Sequence, residues 1–309
     1  MAPTSPQRAG FGLYDRPYVL LSLTMLFWAA NMIAGRLAAG HVPPIALAQM
    51  RWSLAMIILI PFAVGPIRRD WPVIRRNPMI LAVLGFFGIS LYNTLVYIAL
   101  QSTTAINATM LASIFPMMIA ATGFLLYRDR LTLMQFIGIL VSCAGAGVIL
   151  TKGSVSALLG LAFNPGDLWV IGAQVAYAIY TVMLRKRPKL HPISFLALTV
   201  FAGQLFLVPF TLFEASRGAV VTLDALTIAI VVFIAIVPAI LAFTCFNRGV
   251  ELVGSNRAAP FFHLVPVFTS VAAIAFLGEH LAVYHLVGWP LILAGIAVTQ
   301  LYRAPRQAL

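Results

Sequence analysis

Long apolar runs recur along the whole of this chain and set the narrowest limit on its fold. Each run is about 20 residues long, which is the length a helix needs to cross a hydrocarbon layer ~30 Å thick. Hydrophobic residues make up 61% of the 309-residue sequence and charged residues only 9%, which leaves too little polar surface for a soluble protein. Barrel strands would be shorter and would alternate in hydrophobicity. The sequence therefore predicts an all-α integral membrane protein.

The apolar runs predict ten transmembrane helices. We expect these spans at approximately 18–38, 44–64, 78–98, 104–126, 132–150, 166–184, 193–213, 225–247, 256–277 and 282–302. The connections between them are short and leave no room for a soluble domain. The longest connection, residues 151–165, contains several Gly and Ser residues and separates span five from span six.

The Lys and Arg residues predict how the chain is oriented. If the N-terminus lies inside the cell, sixteen of the 20 Lys and Arg residues fall on the cytoplasmic side, all except Arg36, Arg51, Lys152 and Arg217. Cytoplasmic loops of membrane proteins carry such an excess of positive charge. We therefore expect both termini in the cytoplasm. The net charge of +12 reflects this orientation rather than binding to nucleic acid.

The two halves of the chain share a pattern of structural residues. Residues 111–150 are echoed by residues 261–300, and an acid, Asp129 or Glu279, lies in the same short turn of each copy. The other matched positions are Pro116 with Pro266, Leu131 with Leu281, Gly138 with Gly288, and Gly145 with Gly295. Because each half has an odd number of spans, the second half is inverted relative to the first. The pattern predicts two inverted five-helix repeats, which typically place a site near the bilayer midplane.

The chain resembles the EamA branch of the drug/metabolite transporter superfamily. In the first half the resemblance lies in FWAANMIAGRLA and PPIALAQMRWSLA. In the second half it lies in GDLWVIGAQVAYAIYTVMLRK and in VGSNRAAPFFHLVPVFTSVAAIAFLGEHL followed by GWPLILAGIAV. The first-half copy reads Tyr127-Arg128-Asp129-Arg130 where the family has a Gly-Glu turn.

The resemblance implies a secondary transporter of the bacterial inner membrane. It implies a central cavity lined by spans one, three, four, six, eight and nine, with spans five and ten at the periphery. Family members include exporters of amino acids, aromatic ones among them, and of other small metabolites. The expected divisions are a cytoplasmic N-terminal segment 1–16, a first EamA repeat 17–150, a linker 151–165, a second EamA repeat 166–302 and a cytoplasmic tail 303–309.

Polar and aromatic side chains inside the spans are the candidates for substrate contact. Polar groups are costly in lipid and tend to face the protein interior or a water-filled cavity. The candidate substrate-binding residues are Trp28, Asn31, Tyr92, Asn93, Ser113, Gln174, Tyr177 and His263. Each has a structural alternative, because such side chains also join helices to one another or anchor them at the interface. Both interpretations stay open from the sequence alone.

Three prolines inside the spans are candidate hinges, Pro116, Pro238 and Pro266. A proline removes one hydrogen bond from its helix and bends it. The bend is either permanent curvature or a point that flexes during gating. Arg51, a charged residue within span two, is expected to have a structural role, with its side chain reaching outward or pairing with a polar group.

The sequence contains no motif for catalysis, metal binding or a cofactor. We expect a monomeric non-enzyme without cofactor or metal, whose partners are a small-molecule substrate and membrane lipid. No Asp or Glu is predicted at mid-membrane. Transport is therefore either coupled to a proton carried by His263 or, as we favour, uncoupled facilitation.

The favoured function is export of amino acids and related metabolites by alternating access. A multidrug or nucleotide-sugar carrier of the same superfamily is the alternative, and an intramembrane lipid enzyme or a channel is more remote. An aromatic cavity without fixed charge suits a zwitterion. Phosphorylated sugars and nucleotides need Lys or Arg at the site, and we expect no basic residue at mid-depth.

Overall fold

The computed structural model describes residues 12–38, 41–99, 111–154, 156, 165–276 and 280–301, and these residues contain no β-strand. We number their main helices α1 to α10 in chain order. They are α1 Pro17–Leu37, α2 Pro44–Ile74, α3 (Pro78–Gly85, Phe86–Leu91 and Tyr92–Ala99), α4 Phe115–Tyr127, α5 Leu133–Leu150, α6 Pro165–Met183, α7 Pro192–Ser216, α8 (Ala225–Ile234, Ala235–Leu241 and Ala242–Val253), α9 (Ser255–Ala258, Ala259–His263 and Leu264–Phe276) and α10 Val283–Leu301. Within this part of the chain, eight helices are long and apolar enough to cross a membrane. Helix α4 is shorter, and α9 is interrupted by the 3₁₀ segment Ala259–His263.

Several predicted features lie outside the described residues. They are the start of span four, most of the linker, the turn that contains Glu279, the N-terminal segment up to residue 11 and the tail.

Helix α2 is longer than the sequence predicts. It continues to Ile74 and contains three prolines, whereas the fall in hydropathy predicts an end near residue 64. Hydropathy reports where the apolar surface ends, and a helix continues past that point where other contacts hold it. Here a carboxylate oxygen of Asp70 accepts a hydrogen bond from the backbone N–H of His191, just before α7, at 2.8 Å.

The two halves begin corresponding helices with the same device. At the start of α5, Thr132 and Gln135 exchange side-chain and backbone hydrogen bonds at 3.2 and 3.0 Å, which forms a capping box. At the start of α10, Nδ1 of His285 accepts from the backbone N–H of Ala282 at 3.1 Å. These residues occupy matched positions in the two copies, so different side chains perform the same local task.

Helices of one half pack mainly against helices of the other. Helix α1 packs against α8 and α9, and its counterpart α6 packs against α3 and α4. Helix α2 runs antiparallel to α7, because Gln204 of α7 bonds Ser53 of α2 at 3.0 Å while Thr211 bonds Gln49 at 3.5 Å. The halves are therefore interleaved.

Helices α5 and α10 form the most intimate pair, with glycine backbones in direct contact. A Cβ atom on Gly145 would lie 2.8 Å from the carbonyl oxygen of Gly288, and one on Gly295 would lie 2.5 Å from that of Gly138. Residue numbers rise along one helix as they fall along the other, so the helices are antiparallel. We call the contact between these four glycines the glycine pair. Under the match between the two copies, the contact of Gly145 with Gly288 corresponds to the contact of Gly295 with Gly138.

One end of the bundle carries a concentration of arginine, and we call it the basic end. There Arg185 forms a bidentate ion pair with Asp129, which joins the end of α6 to the turn after α4. Glu251, near the end of α8, bonds Arg187 at 2.5 Å and Arg248 at 2.9 Å. These ion pairs tie three helix ends together.

The basic end also holds the start of α1 and the end of α10. Arg248 bonds Asp15 at 2.7 Å, just before α1. Arg257 donates to Oε1 of Gln300 at 3.0 Å and to the hydroxyl of Tyr18. The first and last helices therefore start and finish on the same side of the bundle.

At the opposite end of the bundle, a side chain of α7 caps the N-terminus of α2 and joins the two helices. Both carboxylate oxygens of Glu214, in the last turn of α7, accept backbone N–H groups of Ile45 and Ala46 at 3.1 and 2.7 Å. A carboxylate is favourable at a helix N-terminus because unpaired N–H groups and the helix dipole both attract it. Nearby, His41 lies 3.3 Å from Asp224, which caps α8.

Candidate functional site

Eight aromatic side chains from six helices meet inside the bundle. We call them the ring cluster, and they are Trp28, Tyr92, Phe115, Tyr177, Tyr180, Phe243, Phe246 and Phe262. Helices α1, α3, α4, α6, α8 and α9 each contribute at least one ring. These are the helices that the sequence resemblance expects to line a cavity, and in this conformation their rings are in contact.

Tyr177 lies at the centre of the ring cluster. Its ring contacts all seven of the others, and the centroid distances run from 4.7 Å to Tyr92 to 6.3 Å to Phe243. Only 2% of the residue is exposed. Each aromatic pair adds about 0.5–1.5 kcal/mol beyond burial of its area, so packing on neighbouring rings accounts for the position of this side chain.

The polar atoms of the ring cluster are not all satisfied. The hydroxyl of Tyr180 donates to Oδ1 of Asn247 at 2.7 Å, and Nε1 of Trp28 donates to the carbonyl oxygen of Pro238 at 3.3 Å. The hydroxyl of Tyr177 is buried and has no hydrogen-bond partner among the described residues. Buried polar groups in proteins are nearly always bonded, so this hydroxyl is an exception that needs a reason.

The carbonyl of Pro238 lies in a π-helical segment of α8, Ala235–Leu241. The backbone N–H of Ala242 bonds to Val237, whereas an uninterrupted α-helix would direct it to Pro238. The Pro238 carbonyl instead accepts side-chain donors, Trp28 and also Nη2 of Arg51 at 3.3 Å.

Arg51 is buried and bonded to another helix. The residue is 4% exposed, its guanidinium shares the Pro238 carbonyl with Trp28, and it lies 4.6 Å above the ring of Trp52. Of the two alternatives from the sequence, reaching outward or pairing with a polar group, this conformation has the second. The guanidinium reaches inward to a carbonyl of α8 because aromatic and polar groups there replace part of its hydration.

Helix α3 carries a second π-helical segment, Phe86–Leu91, where the N–H of Tyr92 bonds to Phe87. Its residue Gly88 matches Pro238 at an offset of 150. A Cβ on Gly88 would overlap the ring of Tyr180, so the missing side chain lets this ring lie on the backbone of α3. Matched helices therefore share an irregularity that different residues produce. π-helical turns occur frequently at functional sites.

The family profile described as the EamA-like transporter family matches residues 16–151 and 164–301. The chain belongs to this family. The two matches cover most of the sequence and divide it between α5 and α6.

Relatives of known sequence agree with this membership. The Uncharacterized transporter YyaM of Bacillus subtilis is 26% identical over 283 residues, which cover 90% of this chain and 92% of that protein. The Probable terminal-alkyne amino-acid exporter of Streptantibioticus cattleyicolor is 28% identical and aligns over 89% of this chain and 90% of that protein. A solved crystal structure matches with a TM-score of 0.73, 21% identity, and coverage of 92% of this chain and 96% of that chain. At that identity the structural match indicates the same fold.

In this EamA-family chain, three of the residues selected from the sequence meet. Trp28, Tyr92 and Tyr177 are all members of the ring cluster. Gln174 is buried on α6 one turn before Tyr177, and Asn31 on α1 is half-buried. These five positions lie on helices that supply the cluster.

Asn93, Ser113 and His263 have structural hydrogen bonds in this conformation. Nδ2 of Asn93 donates to the carbonyl of Ile89 in its own helix at 2.5 Å. His263 is buried, and its Nε2 lies 2.7 Å from the carbonyl oxygen of Ser113 while its Nδ1 lies 2.7 Å from the hydroxyl of Ser142. A carbonyl only accepts, so Nε2 carries a proton. Both ring nitrogens are bonded to protein, which favours a role in joining α9 to α4 and α5.

The matched prolines lie at helix starts rather than mid-helix. Pro116 is in the first turn of α4, after a turn, and Pro266 is in the first turn of the segment Leu264–Phe276, after a 3₁₀ segment. The first N–H groups of a helix have no intrahelical partner, so proline costs little there. Each helix is therefore interrupted just before its proline. Pro238 differs, because it lies inside a π-helical segment.

Sequence reasoning missed five rings of the cluster, Tyr180 and the four phenylalanines Phe115, Phe243, Phe246 and Phe262. In an apolar span, phenylalanine is expected to face lipid, whereas these four side chains are buried or half-buried. Two of them stand beside residues that were selected, Phe115 before Pro116 and Phe262 before His263. That adjacency was the available signal.

Metal chemistry has no support in the described residues, where no group of three or more His, Cys, Asp or Glu side chains could hold an ion. Cys143 and Cys245 are free thiols on α5 and α8.

Proposed function

We propose that this chain exports amino acids or similar small amphipathic metabolites across the bacterial inner membrane by alternating access. The observation that carries this proposal is the ring cluster, where six helices from both halves of a transporter-family protein meet around Tyr177. A carrier needs its substrate site at the boundary between parts that move relative to each other.

The proposed architecture is ten spans in two inverted repeats, residues 17–150 and 166–302, joined by the linker 151–165. The antiparallel glycine pair, the exchanged contacts of α1 and α6, and the matched π-helical segments support it, since a two-fold axis in the membrane plane would produce all three. The excess of Arg and Lys supports placing the basic end, with segment 1–16 and tail 303–309, in the cytoplasm.

The proposed substrate site is the ring cluster with its polar neighbours. Trp28, Tyr92 and Tyr177 supply ring faces, and Asn31, Asn93, Ser113, Gln174 and His263 remain candidates that lie on the same helices. Ring faces suit an apolar side chain or an ammonium group. Arg51 suits a carboxylate. An amino acid carries these groups together, and the name of the S. cattleyicolor relative points to the same substrate class.

The conformation described here is closed at the basic end. Ion pairs join α4, α6, α8 and the start of α1 there, and the rings are packed against one another above them. In the proposed cycle these ion pairs separate to admit substrate from the cytoplasm. Pro116, Pro238 and Pro266 mark interruptions about which the flanking segments bend.

Transport is proposed to be uncoupled facilitation by a monomer. The described part of the membrane-spanning core places no carboxylate among the ring contacts, and the nitrogens of His263 are held by serine groups. Coupling to protons through His263 would require those bonds to break in another conformation.

The test is counterflow of labelled phenylalanine and leucine into proteoliposomes that contain the purified protein, with and without a pH gradient. Saturable uptake that unlabelled amino acids reduce supports amino-acid transport, and indifference to the gradient supports facilitation. A response to the gradient that Ser142→Ala alters would assign the coupling to His263. Absence of flux from folded protein would contradict the proposed substrate class.

A further inference from the structure

We propose that the hydroxyl of Tyr177 is a substrate-binding group, reserved for the polar head of the transported molecule. The idea deepens the function proposed above and rests on it. It assigns to one oxygen atom the task of recognising a carboxylate, carbonyl, hydroxyl or ammonium group at the centre of the ring cluster.

Two tyrosines on one helix carry the argument. Tyr177 and Tyr180 lie one turn apart on α6, stack with centroids 5.2 Å apart, and are 2% and 1% exposed. The hydroxyl of Tyr180 is bonded to Asn247 at 2.7 Å, whereas that of Tyr177 has no partner among the described residues. Because both side chains are almost fully buried, burial does not explain why only one of the two hydroxyls has a partner.

A phenylalanine at position 177 would serve the packing better. It would keep all seven ring contacts and remove a buried polar atom that loses its hydration without a replacement bond. A residue that costs stability in a closed core has a use elsewhere in the protein's cycle. Here that use is a hydrogen bond made when the rings separate and a substrate enters.

The surroundings define the chemistry of the ligand. The rings of Trp28, Phe246 and Phe262 contact Tyr177, so the body of the ligand is apolar or aromatic and its polar atoms are few. A phenol both donates and accepts. It therefore bonds a carboxylate as donor or an ammonium as acceptor, but a molecule rich in hydroxyls would leave most of them unbonded among rings. The site selects small molecules with one polar head.

The matched pair Tyr177→Phe and Tyr180→Phe tests the proposal by two readouts. For Tyr177→Phe we expect a melting temperature in detergent equal to or above that of the unmodified protein. Its KM for phenylalanine counterflow should rise about tenfold, the scale of one hydrogen bond to a charged group. For Tyr180→Phe we expect the reverse effect on stability, a melting temperature lower by roughly 2 °C or more because Asn247 loses its donor. The control for transport is Phe206→Leu, at an exposed ring of α7 outside the ring cluster, whose KM should stay within about twofold of the original.

Either readout can overturn the proposal. A melting temperature for Tyr177→Phe that falls as far as that of Tyr180→Phe would mean that the hydroxyl has a structural partner. An unchanged KM would mean that the substrate does not use it. If the unmodified protein moves no amino acid, the proposed substrate class fails. The melting temperatures then decide the hydroxyl separately, a stable Tyr177→Phe supporting the proposal and a destabilised one overturning it.

Discussion

The glycine pair and the ring cluster are both buried contacts between the two halves, but the first is made by backbone atoms and the second by side chains. In the glycine pair, backbone meets backbone, and even a methyl group on Gly145 or Gly288 would overlap the opposite helix. In the ring cluster, the contacts are between side chains, and each side chain can rotate about its own bonds. Backbone contacts of this kind hold one geometry, whereas rings separate when their helices tilt. The first region suits a fixed support and the second a part that opens.

The two regions also lie on different helices. The ring cluster draws on α1, α3, α4, α6, α8 and α9, and the glycine pair uses α5 and α10 alone. Small residues that bring backbones together are typical of helix interfaces in membranes. In the proposed cycle of alternating access, the glycine pair keeps the halves together while the ring cluster changes shape.

The largest expected effect comes from filling the glycine pair. Gly145→Leu should prevent folding, because overpacking a tight interface costs about 1–3 kcal/mol or more and here the obstacle is backbone. Gly147→Leu is the matched control, since a Cβ at this position two residues along α5 meets nothing within 4 Å. Size-exclusion profiles of the purified variants decide the matter. A monodisperse, transport-active Gly145→Leu protein would remove the distinction between support and moving part.

The next effect should separate folding from transport in the ring cluster. Phe246→Leu keeps most of the volume of a buried side chain and should cost about 1 kcal/mol in stability, but amino-acid flux should fall several-fold because a ring face is lost. Phe206→Leu, at an exposed ring of α7, should leave flux unchanged. Counterflow and thermal melting on both variants give the comparison. Equal flux from both would mean that the cluster is only packing.

A smaller effect is expected at the basic end. Glu251→Gln removes the carboxylate that Arg187 and Arg248 share. Partly exposed ion pairs contribute about 0.2–1 kcal/mol each, so hydrogen exchange in residues 242–253 should become roughly two- to fivefold faster in low salt. Asp70→Asn, which alters a carboxylate near the end of α2 that accepts a backbone N–H and forms no ion pair among the described residues, should leave that exchange unchanged. The same acceleration in both variants would contradict the proposal that these ion pairs close the basic end.

The smallest effect concerns a carboxylate in neither region. The backbone N–H of Thr227 bonds Asp224 and, with His41, holds the pKa of this carboxyl below its usual 3.8. A lowered pKa means that stability present at higher pH is lost as the pH falls below about 4 and the carboxylate is protonated in the folded state. The melting temperature should decline slightly over that range, and less in Asp224→Asn, whose side chain still caps α8. An identical decline in both would assign the loss to other groups.

Hydropathy was sufficient to predict an all-helical chain and the approximate positions of most apolar helices that the structure describes. Apolar runs located α5 and α10 to within a residue or so, and recurring glycines marked their contact, because close backbone approach requires glycine wherever it occurs. The end of α2 and the interruptions before Pro116 and Pro266 depend on contacts with other helices, and hydropathy does not report those contacts.

The ring cluster was only partly predictable. Trp28 and Tyr177 stood out as large amphipathic side chains at the centre of their spans, but Phe243 and Phe246 carry no local sign of facing inward. Their direction depends on how α8 crosses its neighbours and on the π-helical segment before them. The sequence left open whether Arg51 reaches outward or pairs with a polar group, since its partner is a carbonyl of another helix.

The π-helical segments amount to one residue more than an α-helix of the same height would hold. Deleting that residue would restore uninterrupted α-helical bonding between unchanged flanks, in which the carbonyls of the segment accept N–H groups of their own helix. In α8 the Pro238 carbonyl would then be taken up within its own helix, and Trp28 and Arg51 would lose the acceptor that they share. The bonds that join α8 to α1 and α2 therefore depend on chain length as much as on chain composition. A deletion of one residue from this segment would leave hydropathy almost unchanged while removing both hydrogen bonds.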